Sequence, residues 1–415
     1  MQTESYKLID QTEQTIKDQL DEISKIVTYN QEKVLKAFQD TQVGDHHFNP
    51  TTGYGYDDIG RDKLEELYSK VFGGEDALVR PQIVSGTHAI TTALFGNLRP
   101  GDQVVSITGR PYDTLENVIG IQNKTDGSLR DYGIHYEEVP LTNEGQPNYG
   151  QIRKKIDQQT KMVMIQRSKG YANRPSFTIS EIEQMIKFVK DMNRDVIVFV
   201  DNCYGEFVEQ EEPTNVGADL IAGSLIKNPG AGIVKTGGYL VGKKPFIKRS
   251  ANYLVAPGLG KETGASLYSL QEMFQGLFLA PHVVGEALKG AIFTSSLLTN
   301  HGYLTTPSPE DKRTDLIQSI TFKTKEEMVK FAQVVQQQSP INSHVTPHPD
   351  YMPGYEHDVI MAAGTFIQGA SLELTADGPI REPYTLYVQG GLTYEHVKLA
   401  ITKGLVVLQK KNIEV

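Results

Sequence analysis

The sequence predicts an α/β chain in which a large domain, built on a mainly parallel sheet flanked by helices, is followed by a smaller α+β domain. Three observations predict it. Val196, Ile197, Val198, Phe199 and Val200 form an apolar run with no polar face, as a strand covered on both sides requires. Strand-like runs alternate with amphipathic helical ones through the first two thirds of the chain, the rhythm of strand–helix–strand units. A Thr-, Pro- and Ser-rich stretch from His301 to Asp311 then separates this alternation from a compact set of shorter segments. The resulting division is an N-terminal helical arm over 1–50, a large domain over 51–300 and a small domain over 301–415.

Taken in order, Leu8 to Asp40 reads as helix, with Ile16, Leu20, Ile23 and Val27 on one face that packs on the core or on a neighbouring subunit. Tyr54, Tyr56 and Arg61 precede a helix carrying Leu64, Leu67, Tyr68 and Val71. Their phenol and guanidinium groups either meet an anion or are ordinary loop and helix-start residues. His46 and His47 are adjacent and lack a third ligand at usable spacing, so no metal site is expected. Ala77 to Val84 reads as a strand feeding Ser85-Gly86-Thr87-His88 and a helix from Ala89 to Leu98. Free N–H groups at that helix start, with the Ser85 and Thr87 hydroxyls, make a seat for a phosphate, although helix capping explains the same residues locally. A strand from Gln103 to Thr108 leads to Tyr112, placed to lay its ring on a flat cofactor and to offer its hydroxyl as acid or base. The strand Lys161 to Ser168 brings Arg167 and Ser168 to another strand end, and the helix Ile179 to Asn193 follows. In such a sheet ligands bind at the carboxyl ends of the strands.

The chemistry concentrates after Val200. Asp201 stands at the end of that strand, and a second apolar run, Leu220 to Ala222, leads to Ser224 and Lys227. Pyridoxal phosphate needs an amine to hold its aldehyde as a Schiff base and a carboxylate to keep its pyridine nitrogen protonated. Lys227 and Asp201 supply that pair, and Ser224 can donate to the phosphate. A nucleotide loop is excluded, because GAGIVKT (Gly230 to Thr236) has Val234 where the motif requires glycine before its lysine.

Bulk properties narrow the class further. The 415 residues are 39% hydrophobic and 22% charged, ordinary for a globular chain. A net charge of −10 argues against nucleic acid and anionic membrane as partners. Cys203 is the one cysteine, which fits a reducing compartment. The N-terminus lacks the apolar core of a signal peptide and no run of membrane-span length is expected, so the reading is cytoplasmic. Beyond a strand at Tyr239 to Gly242, helices are expected over Ser266 to Ala280 and Val283 to Leu298. The small domain is read as strands at Asp315 to Phe322, Asp358 to Ala363 and Ser371 to Leu374, a helix from Lys325 to Gln338 and a last helix from Thr393. Arg381 lies in a Pro-bounded loop, as a substrate clamp or as a surface arginine.

The segments SGTHAI (Ser85 to Ile90), RPYDT (Arg110 to Thr114), QRSKGY (Gln166 to Tyr171), DNCYGEFVE (Asp201 to Glu209) and GSLIKNPG (Gly223 to Gly230) together resemble the methionine gamma-lyase-like, aluminium resistance family. These are fold-type I pyridoxal phosphate proteins related to the Cys/Met-metabolism enzymes, cystathionine beta-lyase among them. The resemblance runs from about Tyr54 to Lys398. It implies an aspartate-aminotransferase-like fold with Lys227 as the Schiff-base lysine, Asp201 at the pyridine nitrogen and Tyr112 stacked on the ring. Ser85, Gly86, Thr87 and Ser224 would surround the phosphate, and Arg381, Arg167 and Ser168 would face an amino-acid substrate. It further implies a homotetramer or homodimer with shared sites, Tyr56 and Arg61 reaching into the neighbour. Two departures stand out: Ile226 replaces the usual hydroxyl residue before the lysine, and GYGYDDIGR replaces a Y-x-R motif. The activity implied is a carbon–sulfur lyase of the methionine gamma-lyase or cystathionine beta-lyase type. An aminotransferase and a non-catalytic stress-response member of the fold are the alternatives.

Overall fold

The computed structural model describes residues 2–122, 126–172, 174–352 and 355–411. Among these, seven strands build the larger sheet: β1 (Asp76–Arg80), β2 (Gln103–Ser106), β3 (His135–Glu138), β4 (Thr160–Gln166), β5 (Ile197–Asp201), β6 (Leu220–Ser224) and β7 (Gly238–Gly242). Their order is β1-β7-β6-β5-β4-β2-β3. Strands β2 to β6 pair in parallel, whereas β7 runs antiparallel to both β6 and β1. The strand expected to reach Val84 stops at Arg80, because Pro81 has no N–H to extend the ladder.

The β5 run is buried on both faces, as its composition requires. Val198 and Val200 point into one core with α3 (Ile59–Val71), α7 (Ile179–Met192) and α9 (Leu270–Thr299). Ile197 and Phe199 point into the other, with α4 (Gly86–Asn97), α5 (Asp113–Ile119) and α8 (Lys244–Leu254). The N-terminal arm is two helices, α1 (Gln2–Thr15) and α2 (Lys17–Asp40), parted at the buried Ile16. Its apolar stripe lies on this chain's own α9. Gly285 makes the close approach possible, since a Cβ there would sit 2.2 Å from Val27 Cγ2.

Helix α9 corrects two expectations. It is one helix that runs through Pro281 where two were expected, the lost hydrogen bond being outweighed by packing along almost its whole length. At 30 residues it is also long and apolar enough to cross a membrane, but most of it is buried inside the protein.

In the smaller domain β8 (Leu304–Thr306), β9 (Gln318–Thr321), β10 (Val359–Ala362), β11 (Thr375–Pro379) and β12 (Thr385–Gln389) form an antiparallel sheet in the order β10-β11-β12-β9-β8. Helices α10 (Lys325–Gln337) and α11 (Tyr394–Lys411) pack together beside it, and α6 (Tyr149–Lys155) completes the large domain. The strand expected at Ser371 to Leu374 lies one segment later: Leu372 and Leu374 are buried, but Thr375–Pro379 carry the ladder.

Candidate active site

The ends of β5 and β6 and the start of α4 converge on Lys227. The closeness shows at Gly86, the first residue of α4. A Cβ built there would stand 3.1 Å from Cys203 Sγ, 3.4 Å from Ser224 Cβ and 4.0 Å from Lys227 Nζ. The missing side chain therefore leaves a cradle between helix start and lysine. Ser224 Oγ opens into this region fully buried and without a hydrogen-bond partner among the described residues. A buried hydroxyl left unpaired costs on the order of 1–3 kcal/mol, so a ligand oxygen is the expected partner. Ser85 Oγ accepts the His88 N–H at 3.0 Å, which makes it the N-cap of α4. The capping explanation of Ser85 thus holds, and the first N–H groups of the helix remain to face an anion.

Tyr112 stands at the cap of α5, its backbone N–H held by Gln166 Oε1 at 3.1 Å. Its hydroxyl lies 3.0 Å from Thr87 Oγ1. Burial, with the Asp201 charge adding to it, pushes the phenol well above its ordinary range, so it stays protonated. Burial also raises the Asp201 carboxyl, while Lys227 and the Cys203 N–H, at 3.1 Å from Asp201 Oδ1, pull it back. Burial draws the Lys227 ammonium down, yet the facing Cys203, Tyr204, Asp201 and Tyr112 groups leave it above the usual lysine value. The residues present fit pyridoxal phosphate: an amine, a buried acid, an aromatic ring and an orphaned hydroxyl beside a helix N-terminus.

Two neighbours were missed in the sequence. Lys227 Nζ lies 3.9 Å over the ring of Tyr204, whose φ of +71° is a strained conformation for a non-glycine residue. Cys203 lines the cradle beside it. Their positions directly after Asp201 were the available signal, because the turn that ends a strand folds its next side chains over the strand end.

Arg381 sits exposed between β11 and β12 and lines a cavity of about 300 Å³ with Arg110, Asp113, Tyr171, Tyr355 and Glu356. Asp113, on that wall, directly follows Tyr112 at the start of α5, so the cavity adjoins the Tyr112 side of the site.

Three expected site residues are placed elsewhere. Arg167 is fully buried, donating to Asn202 Oδ1 at 2.9 Å and Glu209 Oε1 at 3.3 Å, with Glu212 Oε2 at 3.7 Å. It neutralises buried carboxylates and cannot face a substrate. Ser168 Oγ donates to Asp315 Oδ2 at 2.7 Å and ties the β4 end to the small domain. Arg61 is locked within its own chain, its guanidinium donating to Gly55 O at 2.7 Å and Gly264 O at 3.3 Å. It has no reach toward a neighbour. Tyr56 does remain exposed, stacked on the still more exposed Tyr54 with ring centroids 5.5 Å apart.

The chain is similar over nearly its whole length to known proteins. YnbB of Bacillus subtilis (strain 168) is 60% identical over 399 residues, 96% of this chain and 94% of that protein. A structure from Listeria monocytogenes str. 4b F2365 of a protein involved in aluminum resistance is 60% identical, with a TM-score of 0.95 over 96% of this chain and 99% of that one. A carbon-sulfur lyase involved in aluminum resistance from Clostridium novyi NT is 48% identical, with a TM-score of 0.94 over 98% and 96% of the two chains. At 14% identity the pyridoxal-5'-phosphate dependent protein YhfS from Escherichia coli still superposes with a TM-score of 0.61 over 93% and 97%, which shows that the fold is that of fold-type I pyridoxal phosphate enzymes. The methionine gamma-lyase family profile matches residues 5–409, nearly the whole chain. The chain belongs to the methionine gamma-lyase family.

Proposed function

We propose that the protein is a pyridoxal phosphate-dependent carbon–sulfur lyase acting on a sulfur-containing amino acid. The observation that carries the reading is the orphaned Ser224 hydroxyl in the Gly86 cradle, with Lys227, Asp201 and Tyr112 around it. Ser224, the Gly86 and Thr87 N–H groups and the Thr87 hydroxyl would hold the phosphate, Asp201 the pyridine nitrogen, and Lys227 the aldehyde carbon. When bound, the cofactor supplies an electron sink for a carbanion at the substrate α-carbon.

The chain's own residues supply the proton chemistry. Lys227 Nζ takes the proton from the substrate α-carbon and delivers one to the leaving sulfur, so that the C–S bond breaks with thiol as the product. Tyr112 stays a neutral phenol and acts as a hydrogen-bond donor, not as a base. Arg381 holds the substrate α-carboxylate from the cavity wall. The reading carries with it a cytoplasmic homodimer or homotetramer in which the exposed Tyr54 and Tyr56, with Arg61 excluded, reach the neighbouring subunit's site.

The test is to incubate the cofactor-loaded protein with methionine, cystathionine and cysteine and to assay thiol, 2-oxo acid and ammonia. Release of all three products from at least one of these substrates supports the lyase. Turnover that requires an added oxo-acid acceptor would indicate an aminotransferase, and no turnover with bound cofactor a non-catalytic protein.

A further inference from the structure

Tyr204 stands where the backbone would favour a glycine. The Gly205 N–H donates to Asn202 O at 3.0 Å and closes a turn of which Cys203 and Tyr204 are the central residues. Tyr204 is the second of these, and its φ of +71° is a conformation in which glycine or asparagine is the usual occupant. The turn is anchored from behind. Asn202 accepts from Arg167 Nη1 and donates to Glu212 Oε2, both at 2.9 Å, and a Cβ added at Gly205 would stand 2.5 Å from Arg167 Nη1. The packing thus holds a strained residue in place, and what the strain secures is the Tyr204 ring, with Lys227 Nζ 3.9 Å over its centroid.

Lys227 has two forms to serve. As a neutral amine it takes the proton from the substrate α-carbon, and as an ammonium it keeps that proton until the sulfur leaves with it. Burial disfavours the second form. Asp201, Cys203, Tyr112 and Tyr204 face the amine, and its charge also acts on Glu206 and Tyr355. Tyr112 and Cys203 stay protonated through burial, and Asp201 is assigned to the cofactor nitrogen. The negative face of the Tyr204 ring is left to meet the ammonium, an attraction that strengthens where water is excluded.

Resting on the lyase reading above, we infer that Tyr204 is a positioning residue whose ring face holds the protonated Lys227 between the two proton transfers. A proton passes from the α-carbon to Nζ and then from Nζ to the sulfur, so the lysine ends as it began and the ring exchanges nothing. Because the aromatic face favours ammonium over amine, it makes Lys227 a stronger base for the first transfer. It also keeps Nζ in one place for the second. The phenol hydroxyl has no part in this.

The experiment reads the lysine without turnover. In the cofactor-free full chain, the pH midpoint of Lys227 acetylation by acetic anhydride is followed by peptide mass spectrometry. The proteins compared are the parent, Tyr204→Phe, Tyr204→Leu, and chains with phenylalanines carrying one to three ring fluorines at position 204. Tyr204→Phe should leave the midpoint nearly unchanged, and Tyr204→Leu should lower it by about one unit, the scale of a desolvated cation–π contact. Each added fluorine, which withdraws charge from the ring face and keeps its shape, should lower the midpoint stepwise from that of Tyr204→Phe. In the cofactor-loaded protein, kcat for thiol release should fall in the same order with KM little changed. An equal midpoint across the fluorine series, or a shift as large in Tyr204→Phe as in Tyr204→Leu, would overturn the inference, and the fluorine series decides it even if Tyr204→Leu fails to fold. Absence of thiol from the parent would instead defeat the lyase reading, and the midpoints would still decide whether the ring holds the lysine.

Discussion

The floor of the cleft and its wall are built in opposite ways. The floor comes from the carboxyl ends of β5 and β6, where Asp201, Ser224 and the Lys227 segment are fixed by a sheet covered on both faces. The wall comes from the start of α5 and from small-domain loops, where Arg110, Glu356 and Arg381 stand in solvent. Burial therefore sets the chemistry of the floor, since removing water shifts the preferred protonation of each group. Pairing of charges sets that of the wall. A residue moved from one region to the other would change its role even with its identity unchanged.

Arg167 and Arg381 make that comparison measurable, and the largest effect belongs to the first. Arg167→Ala should lower stability by about 3–5 kcal/mol, because Glu212 would be left buried without its cation and Glu209 would keep only Lys312. Denaturant unfolding reads this directly. Arg381→Ala should leave the unfolding curve within about 0.5 kcal/mol of the parent, as expected of an exposed position. It should instead weaken substrate binding by about tenfold, the scale of one lost charge-assisted contact. If Arg381→Ala destabilised the fold as much as Arg167→Ala, the distinction between floor and wall would fail.

A pH-dependent effect follows from two buried carboxyls. Burial pushes Glu206, which accepts from the Tyr239 hydroxyl at 2.7 Å, up to about 8 from 4.5. Asp377, behind the wall residue Tyr171, is pushed by burial up to about 7 from 3.8. Each therefore binds more protons in the folded than in the unfolded state between those limits. Their contribution is fully present below the unfolded values and is lost as pH rises through the folded ones, so stability from this source declines from about pH 4 to about pH 8. Glu206→Gln, which removes the titration and keeps the shape, should flatten that decline in unfolding measured across the range. An unchanged slope would show Glu206 to be ionised in the native protein.

The same contrast explains how much could be read from the sequence. The parallel sheet was legible because Val196 to Val200 can only be a strand buried on both faces, and Asp201, Tyr112 and Lys227 were legible because they follow such strands. The antiparallel insertion of β7 between β6 and β1 was not, because Tyr239 to Val241 is apolar in either direction. Nor does a sequence say which way a strand-end side chain turns. Arg167 ends β4 as plausibly as a substrate clamp would, yet it turns inward to Glu209 and Glu212, which lie 40 residues and more downstream. Tyr355 and Glu356 reached the wall with no signal, since loop residues acquire their neighbours only from tertiary packing.

The most direct test of the account is to load the protein with pyridoxal phosphate, reduce it with borohydride and locate the pyridoxyl group by peptide mass spectrometry, alongside Ser224→Ala. The account predicts a single pyridoxyl adduct on Lys227, with weaker cofactor retention but no loss of stability in Ser224→Ala, whose hydroxyl has no partner to lose. Adducts scattered over surface lysines, or equal retention without the Ser224 hydroxyl, would contradict it.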